Sequence, residues 1–242
     1  MDKRICGNTD TGFLKLIAFV TMAIDHIGAV FFPESVILRI IGRIAFPLFA
    51  YCLVIGYLYT RDVKKYLRRL FLFAVLSQPF YLPLLYPESF SALLNAASYG
   101  TVRSAVATLW ENLYLNVGFT LFLGLLALDS FHKKRWGIFA AAVLLSCLPA
   151  VEYGIYGMLL ILLIDGSLHL SAKQFSLTVG IYLFLGFFFS GFSYIDSQGF
   201  ALLALPFMLI PTDFKIKIPR WLNYGFYPGH LALLYALTIL FS

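Results

Sequence analysis

Charged side chains are scarce in this sequence. Only 12% of its 242 residues are Asp, Glu, Lys or Arg, while 61% are hydrophobic. An ordinary soluble domain carries about 25% charged residues and roughly half apolar ones. A soluble fold of this length would have to expose contiguous apolar surface far beyond what monomers tolerate, which excludes that class. Cysteine is scarce too. Cys6, Cys52 and Cys147 are too few and too scattered for a disulfide framework and read as small apolar residues. The four histidines are also spread out, no His/Cys spacing suits zinc, and no metal is expected. No Gly-rich phosphate loop, no G-x-S-x-G elbow, no clear internal repeat and no low-complexity linker is present.

Long apolar runs are what the sequence has instead. Mean hydropathy is +0.86. The 25 Phe and 15 Tyr suit lipid contact and interfacial belts. The first run, from about Gly12 to Phe32, follows Lys3 and Arg4 and could be taken for a signal peptide. No small-residue cleavage site closes it and further apolar segments follow, so it reads as an uncleaved first span. Hydropathy predicts an all-α, polytopic transmembrane bundle of about nine spans. They lie near 13–32, 35–59, 66–86, 114–130, 135–149, 153–168, 174–191, 199–211 and 224–241. Several are short, so eight or ten remain open. The length fits a single domain over 1–242. The segment 87–113, with Arg103 and Trp110, reads as a helix on the outer surface or as a plain loop.

The net charge of +6 sits in short loops, which points to membrane orientation and not to nucleic-acid binding. Lys3 and Arg4, residues 60–69, His132 to Arg135, Lys173, and Lys215, Lys217 and Arg220 all fall on one side of the layout. Glu34, Glu88, Glu152 and Asp196 fall on the other, with Arg103 as the main basic exception. The positive-inside rule then predicts a cytoplasmic N-terminus in a multi-pass protein of the cytoplasmic (inner) membrane.

Ionisable groups inside spans are costly, so each is a candidate for function or for structural pairing. Asp25 and His26 lie about seven residues before the outer end of the first span, roughly 10 Å deep. Adjacent helical residues point about 100° apart, so the two are expected to face different partners in one polar cavity. Histidine is the natural general base near neutral pH. Arg43 lies about eight residues into the second span, roughly 12 Å deep. The short Pro-Glu connection makes these helices antiparallel neighbours, so an Asp25–Arg43 pair is available. Structural pairing and ligand binding both stay open for Arg43. Arg39, a turn nearer the surface, can snorkel and reads as structural. Pro47 is expected to kink the second span. Gln78, Asn116 and Thr120 lie at similar depth in the third and fourth spans and either hydrogen-bond a substrate or join helices. Tyr227 and His230 sit in Phe-Tyr-Pro-Gly-His-Leu at the cytoplasmic end of the last span, where the Pro-Gly step should loosen the helix start.

Several strings form a recognisable series. They are Lys-Leu-Ile-Ala-Phe-Val-Thr-Met-Ala-Ile-Asp-His-Ile-Gly (15–28), Ile-Gly-Arg-Ile-Ala-Phe-Pro-Leu-Phe-Ala (41–50) and Lys-Lys-Tyr-Leu-Arg-Arg-Leu (64–70). Leu-Asn-Val-Gly-Phe-Thr-Leu-Phe-Leu-Gly-Leu (115–125), Glu-Tyr-Gly (152–154) and Phe-Tyr-Pro-Gly-His-Leu (226–231) continue the order. The chain resembles the TraX family over nearly its whole length. That family takes its name from a conjugation-system protein linked to N-terminal acetylation of pilin, and it resembles the wider transmembrane acyltransferases. The resemblance implies an acyltransferase that moves an acetyl group from acetyl-CoA to an amine or hydroxyl at the outer membrane face. It makes His26 and Asp25 the catalytic candidates. Arg43, Gln78, Asn116, Thr120, Tyr227 and His230 would line the substrate and donor sites, with Lys64, Lys65, Arg68 and Arg69 drawing in the CoA phosphates. Acyl-CoA and membrane lipid are the expected partners. The acceptor stays open among a pilin-like N-terminus, a glycan and a lipid-linked molecule. The rival expectations are a transporter or flippase of a small or lipid-linked solute, and a non-catalytic assembly factor.

Overall fold

The computed structural model describes residues 5–99, 101–189 and 198–241. Lys3, Arg4 and Asp196, used above to orient the chain, lie outside the described residues, as do 190 and 191 of the seventh expected span. The described residues are helical, with one isolated β-bridge between Leu115 and Val151. The helices are α1 (Thr11–Phe31), α2 (Val36–Gly42), α3 (Ala45–Tyr59), α4 (Val63–Leu85), α5 (Pro87–Tyr99) and α6 (Val102–Asn112). They continue with α7 (Val117–His132), α8 (Trp136–Ser146), α9 (Gly154–Ser167) and α10 (Ala172–Phe189). A 3-10 helix (Gln198–Ala204), α11 (Leu205–Leu209) and α12 (Arg220–Phe241) complete the order.

Every expected apolar run is therefore helical, but helix and span are not the same thing. Among the described residues three helical stretches are long and apolar enough to cross a membrane: Thr11–Phe31, Val36–Tyr59 and Arg220–Phe241. The pair Val63–Leu85 and Pro87–Ser98, bent by 109°, adds a fourth if taken as one broken span. Val117–His132, Trp136–Ser146, Gly154–Ser167 and Gln198–Leu209 are apolar but shorter. At 1.5 Å per residue, the 11 residues of α8 reach roughly 16 Å of a hydrocarbon layer about 30 Å thick. The protein is a helical membrane protein on this composition.

Two compact units make up the chain. The first joins Met1–Arg61 to Leu159–Asn223, and the second joins Asp62–Met158 to Tyr224–Ser242. In the first, α1 lies against α2 and α3, and α10 against the 3-10 helix. Leu14, Ala18, Leu48, Tyr51, Val54, Phe175 and Val179 are fully buried there, with the Tyr51 and Phe175 rings 6.2 Å apart edge to face. In the second, α4 lies against α7, and α7 against α8, around Ala74, Tyr81, Leu125, Leu128 and Ala142.

The second expected span is two helices. Residues Arg43 and Ile44 form a turn between α2 and α3. Pro47 lacks the N–H that would bind the Arg43 carbonyl, so the i→i−4 ladder is interrupted where the turn lies. The last helix differs in the other direction. It begins at Arg220, so Pro228 and Gly229 lie inside it and do not mark its start. One missing N–H costs a single ladder bond, and the helix runs through it.

The entry into α1 is clasped to the segment before α12. Asn8 donates its side-chain amide to the Phe207 carbonyl at 3.2 Å and to Thr212 Oγ1 at 3.0 Å, and its backbone N–H to Met208 O at 2.7 Å. Asp10 caps α1 by accepting from Phe13 N–H at 3.2 Å, and its second oxygen accepts from the N–H groups of Phe214 and Lys215. Gly12 allows the two backbones to meet, since a Cβ there would lie 1.8 Å from the Ile216 carbonyl oxygen. Cys6 donates its N–H to Leu168 O at 2.7 Å, and burial pushes its thiol pKa up. Asp10→Ala removes the cap and the second set of acceptors. It should lower unfolding stability by about 1–3 kcal/mol. Asp10→Asn keeps the cap and should lose less. Thermal unfolding of the detergent-solubilised chain measures the difference.

Candidate functional site

In the first unit the sequence-predicted Asp25–Arg43 pair is formed. Arg43 Nη2 donates to Asp25 Oδ1 at 3.0 Å and to Oδ2 at 3.3 Å. Arg39, expected to snorkel, instead turns to the same carboxylate. Its Nη1 lies 3.0 Å from Asp25 Oδ1 and donates to the Asp25 backbone carbonyl at 3.3 Å. Arg39 and Arg43 are one turn apart and so share a face of the chain entering the α2–α3 break. Arg43 also sends Nε–H to the Arg39 carbonyl at 3.3 Å. The side chains of Asp25, Arg39 and Arg43 are 14%, 16% and 7% exposed. This is a largely buried ion cluster in apolar surroundings, where a carboxylate persists only when paired.

Two local choices make the cluster fit. Gly42 leaves room for the carboxylate, because a Cβ there would lie 2.1 Å from Asp25 Oδ1 and 2.4 Å from its Cγ. The hairpin closing α1 onto α2 has a turn at residues 33–34, which makes the two helices antiparallel neighbours. His26 follows Asp25 on α1 and is buried at 6% exposure. Sequence reasoning missed Arg39 as a member of the cluster. The signal was its spacing of four from Arg43, but solvent was taken to be its partner.

The other predicted residues lie in the second unit and form two clusters. Gln78 Oε1 accepts from the Asn116 backbone N–H at 3.1 Å and from Asn116 Nδ2 at 2.8 Å. Gln78 Nε2 donates to the Tyr114 carbonyl. Asn116 Nδ2 also donates to the Ala74 carbonyl at 2.8 Å, and its Oδ1 caps α7 by accepting from Gly118 N–H at 2.9 Å. Thr120 donates its hydroxyl to the Glu152 carbonyl. The extended residues 114–116 are thus held by Gln78 on one side. On the other, Leu115 exchanges backbone bonds with Ala150 at 2.6 Å and with Glu152 at 3.1 Å. Gln78, Asn116 and Thr120 thus bond to the backbone of neighbouring segments. Tyr227 and His230 lie a turn apart on α12, ring centroids 5.5 Å apart, with His230 Nδ1 2.9 Å from the Phe226 carbonyl. Among the described residues no group of three His, Cys, Asp or Glu is placed to hold a metal ion.

A family model described as TraX protein matches residues 10–238. The chain belongs to the TraX family. Every residue of the ion cluster and of the Gln78–Asn116 knot lies inside the matched TraX region. A probable fimbrial assembly protein, FimC of serogroup H1 from Dichelobacter nodosus, is 35% identical over 119 residues, covering 48% of this chain and 43% of that one. An uncharacterized protein of Rickettsia prowazekii (strain Madrid E) is 54% identical over 44 residues, or 18% of this chain and 17% of its own length. The match thus spans less than half the length of either relative. No solved structure matches the chain.

Two substitutions separate the clusters. Gly42→Ala should displace the Asp25 carboxylate and cost about 1–3 kcal/mol by overpacking. Asn116→Ala removes the α7 cap and the side-chain donor to the Ala74 carbonyl, and leaves Gln78 Oε1 with the backbone N–H of residue 116 alone, a loss of about 2–3 kcal/mol. Thermal unfolding in detergent measures both. Only the first touches the ion cluster on the α1–α2 hairpin.

Proposed function

We propose that this protein is a membrane-embedded acyltransferase that moves an acetyl group from acetyl-CoA to an amine or hydroxyl acceptor at the outer membrane face. The observation that carries the reading is the buried His26 beside a carboxylate fixed by two guanidinium groups. A buried base on a rigid helix is held in place before the acceptor arrives, and positioned acid–base groups of this kind contribute about 10²–10⁴-fold to rate.

In this reading His26 takes the proton of the acceptor N–H or O–H. The acceptor lone pair attacks the thioester carbonyl carbon, the new C–N or C–O bond forms and the C–S bond breaks. CoA leaves as its thiolate and receives the proton. Asp25, Arg39 and Arg43 act as positioning residues that fix the α1–α2 hairpin carrying His26. Arg43 also places positive charge at the depth where an oxyanion would develop. The basic run Lys64, Lys65, Arg68 and Arg69 attracts the CoA phosphates. The multi-pass chain lies in the cytoplasmic membrane with its N-terminus inside. The fimbrial-assembly name of the Dichelobacter relative favours a pilin-like N-terminus as acceptor over a glycan or lipid-linked molecule.

A second reading has its own support. Broken helices such as α2–α3 and the bent α4–α5 pair are used by transporters to build solute sites. One experiment separates the two. Purified full-length protein is incubated with labelled acetyl-CoA and a pilin N-terminal peptide, in parallel with His26→Ala. Transfer that falls at least about a hundredfold in the variant is the expected result. Transfer unchanged by the substitution would remove His26 from the chemistry. A wild type that neither binds nor consumes acetyl-CoA would turn the assignment towards transport.

A further inference from the structure

Along α10, Leu177, Gly180, Ile181 and Phe184 recur at spacings of three and four, so they share one side of the helix. With Lys173 and Ser176 from the same helix, and Leu202 and Leu205 from the 3-10 helix and α11, they line an open groove of about 450 Å³. Gly180 is its floor, since a Cβ there would meet Leu205 Cδ2 at 3.2 Å and Leu202 Cδ1 at 3.7 Å. Leu177, Ile181 and Phe184 are 61%, 52% and 52% exposed, which suits hydrocarbon and not water.

Among the described residues the lining is apolar except at one end. There Lys173 is the charged residue of the lining and Ser176 the hydroxyl beside it. Lys173 sits in the first turn of α10, which Ser171 caps by accepting from Gln174 N–H at 3.3 Å, and the helix dipole adds to the attraction of its ammonium for an anion. From Lys173 to Phe184 is eleven residues, roughly 16 Å along the helix. That is about half of a hydrocarbon layer of about 30 Å, the depth of one leaflet. A ligand that matches must be apolar over one leaflet and anionic at a single end.

We infer that this groove binds one acyl chain of an anionic glycerophospholipid, with the lipid phosphate at Lys173 and Ser176. The inference stands independently of acyl transfer, because none of the residues used there takes part here.

The test uses purified full-length protein in micelles with equal amounts of phosphatidylglycerol or phosphatidylcholine, each carrying a photoreactive group on an acyl chain. Phosphatidylglycerol should label the peptides of α10 and the 3-10 helix about fivefold more than phosphatidylcholine, the preference expected from one cation near a lipid surface. Lys173→Gln, a change at an exposed residue, should bring the two lipids level. Gly180→Leu should abolish labelling of those peptides by both lipids. Ile181→Trp fills the groove from an exposed position and should do the same where Gly180→Leu fails to fold. Equal labelling by both lipids, unaffected by Lys173→Gln, would overturn the inference and leave only general lipid contact. Labelling lost to inorganic phosphate would overturn it too, because the anion would then bind without the chain.

Discussion

The carboxylate of Asp25 is the constraint around which the first unit is arranged. A lone ionised carboxylate in apolar surroundings costs several kcal/mol, so the sequence must supply cations that reach it. Arg39 and Arg43 do so from the next helix, and the hydrogen bond from Arg39 to the Asp25 backbone carbonyl ties main chain as well as side chain. The consequences spread outward. The α1–α2 hairpin is held at one register, Gly42 can bear no side chain, and the helix carrying the two arginines breaks directly after the second one. A break there lets Arg43 reach sideways to Asp25 and use the Arg39 carbonyl as a further acceptor.

The second unit meets the same constraint with neutral groups. Residues 114–116 are extended between two helices and have no helical ladder of their own, so their backbone groups need partners from elsewhere. Gln78, Asn116 and the carbonyl and amide groups of 150–152 supply them. Asn116 serves three acceptors or donors at once and Gln78 uses both ends of its amide. Polar residues in an apolar chain are therefore spent where the helices stop. That is why these two, which at sequence level suited either a substrate or a neighbour, are engaged with neighbours.

Much of this was legible in the sequence. Hydropathy marked the helices because burial in lipid or in a core demands apolar runs of either kind. It marked membrane spans less well, since an apolar run of 11 residues satisfies the pattern without the length to cross a bilayer. The Asp25–Arg43 contact was readable because both depths could be counted from one short turn. Arg39 was not, because the choice between water and a carboxylate depends on where another helix lies. The continuity of α12 through Pro228 was hidden for a similar reason. Proline removes one hydrogen bond whatever the context, and whether the helix survives depends on the packing around it.

The division of labour around His26 follows from the same electrostatics. Two guanidinium groups hold the Asp25 side chain in place, so the carboxylate is committed to fixing the hairpin. Adjacent residues on a helix point about 100° apart, so Asp25 and His26 leave α1 in different directions. A residue that changes protonation during a reaction works best on a scaffold that stays fixed. A cluster that ties Asp25 to two guanidinium groups gives such a scaffold, because it joins α1 to α2 through side chain and main chain alike. In the proposed reaction the histidine moves the proton while the α1–α2 hairpin stays in register. Asp25 and His26, neighbours in sequence, thus take different tasks: one fixes the hairpin and the other, in the proposed reaction, moves the proton.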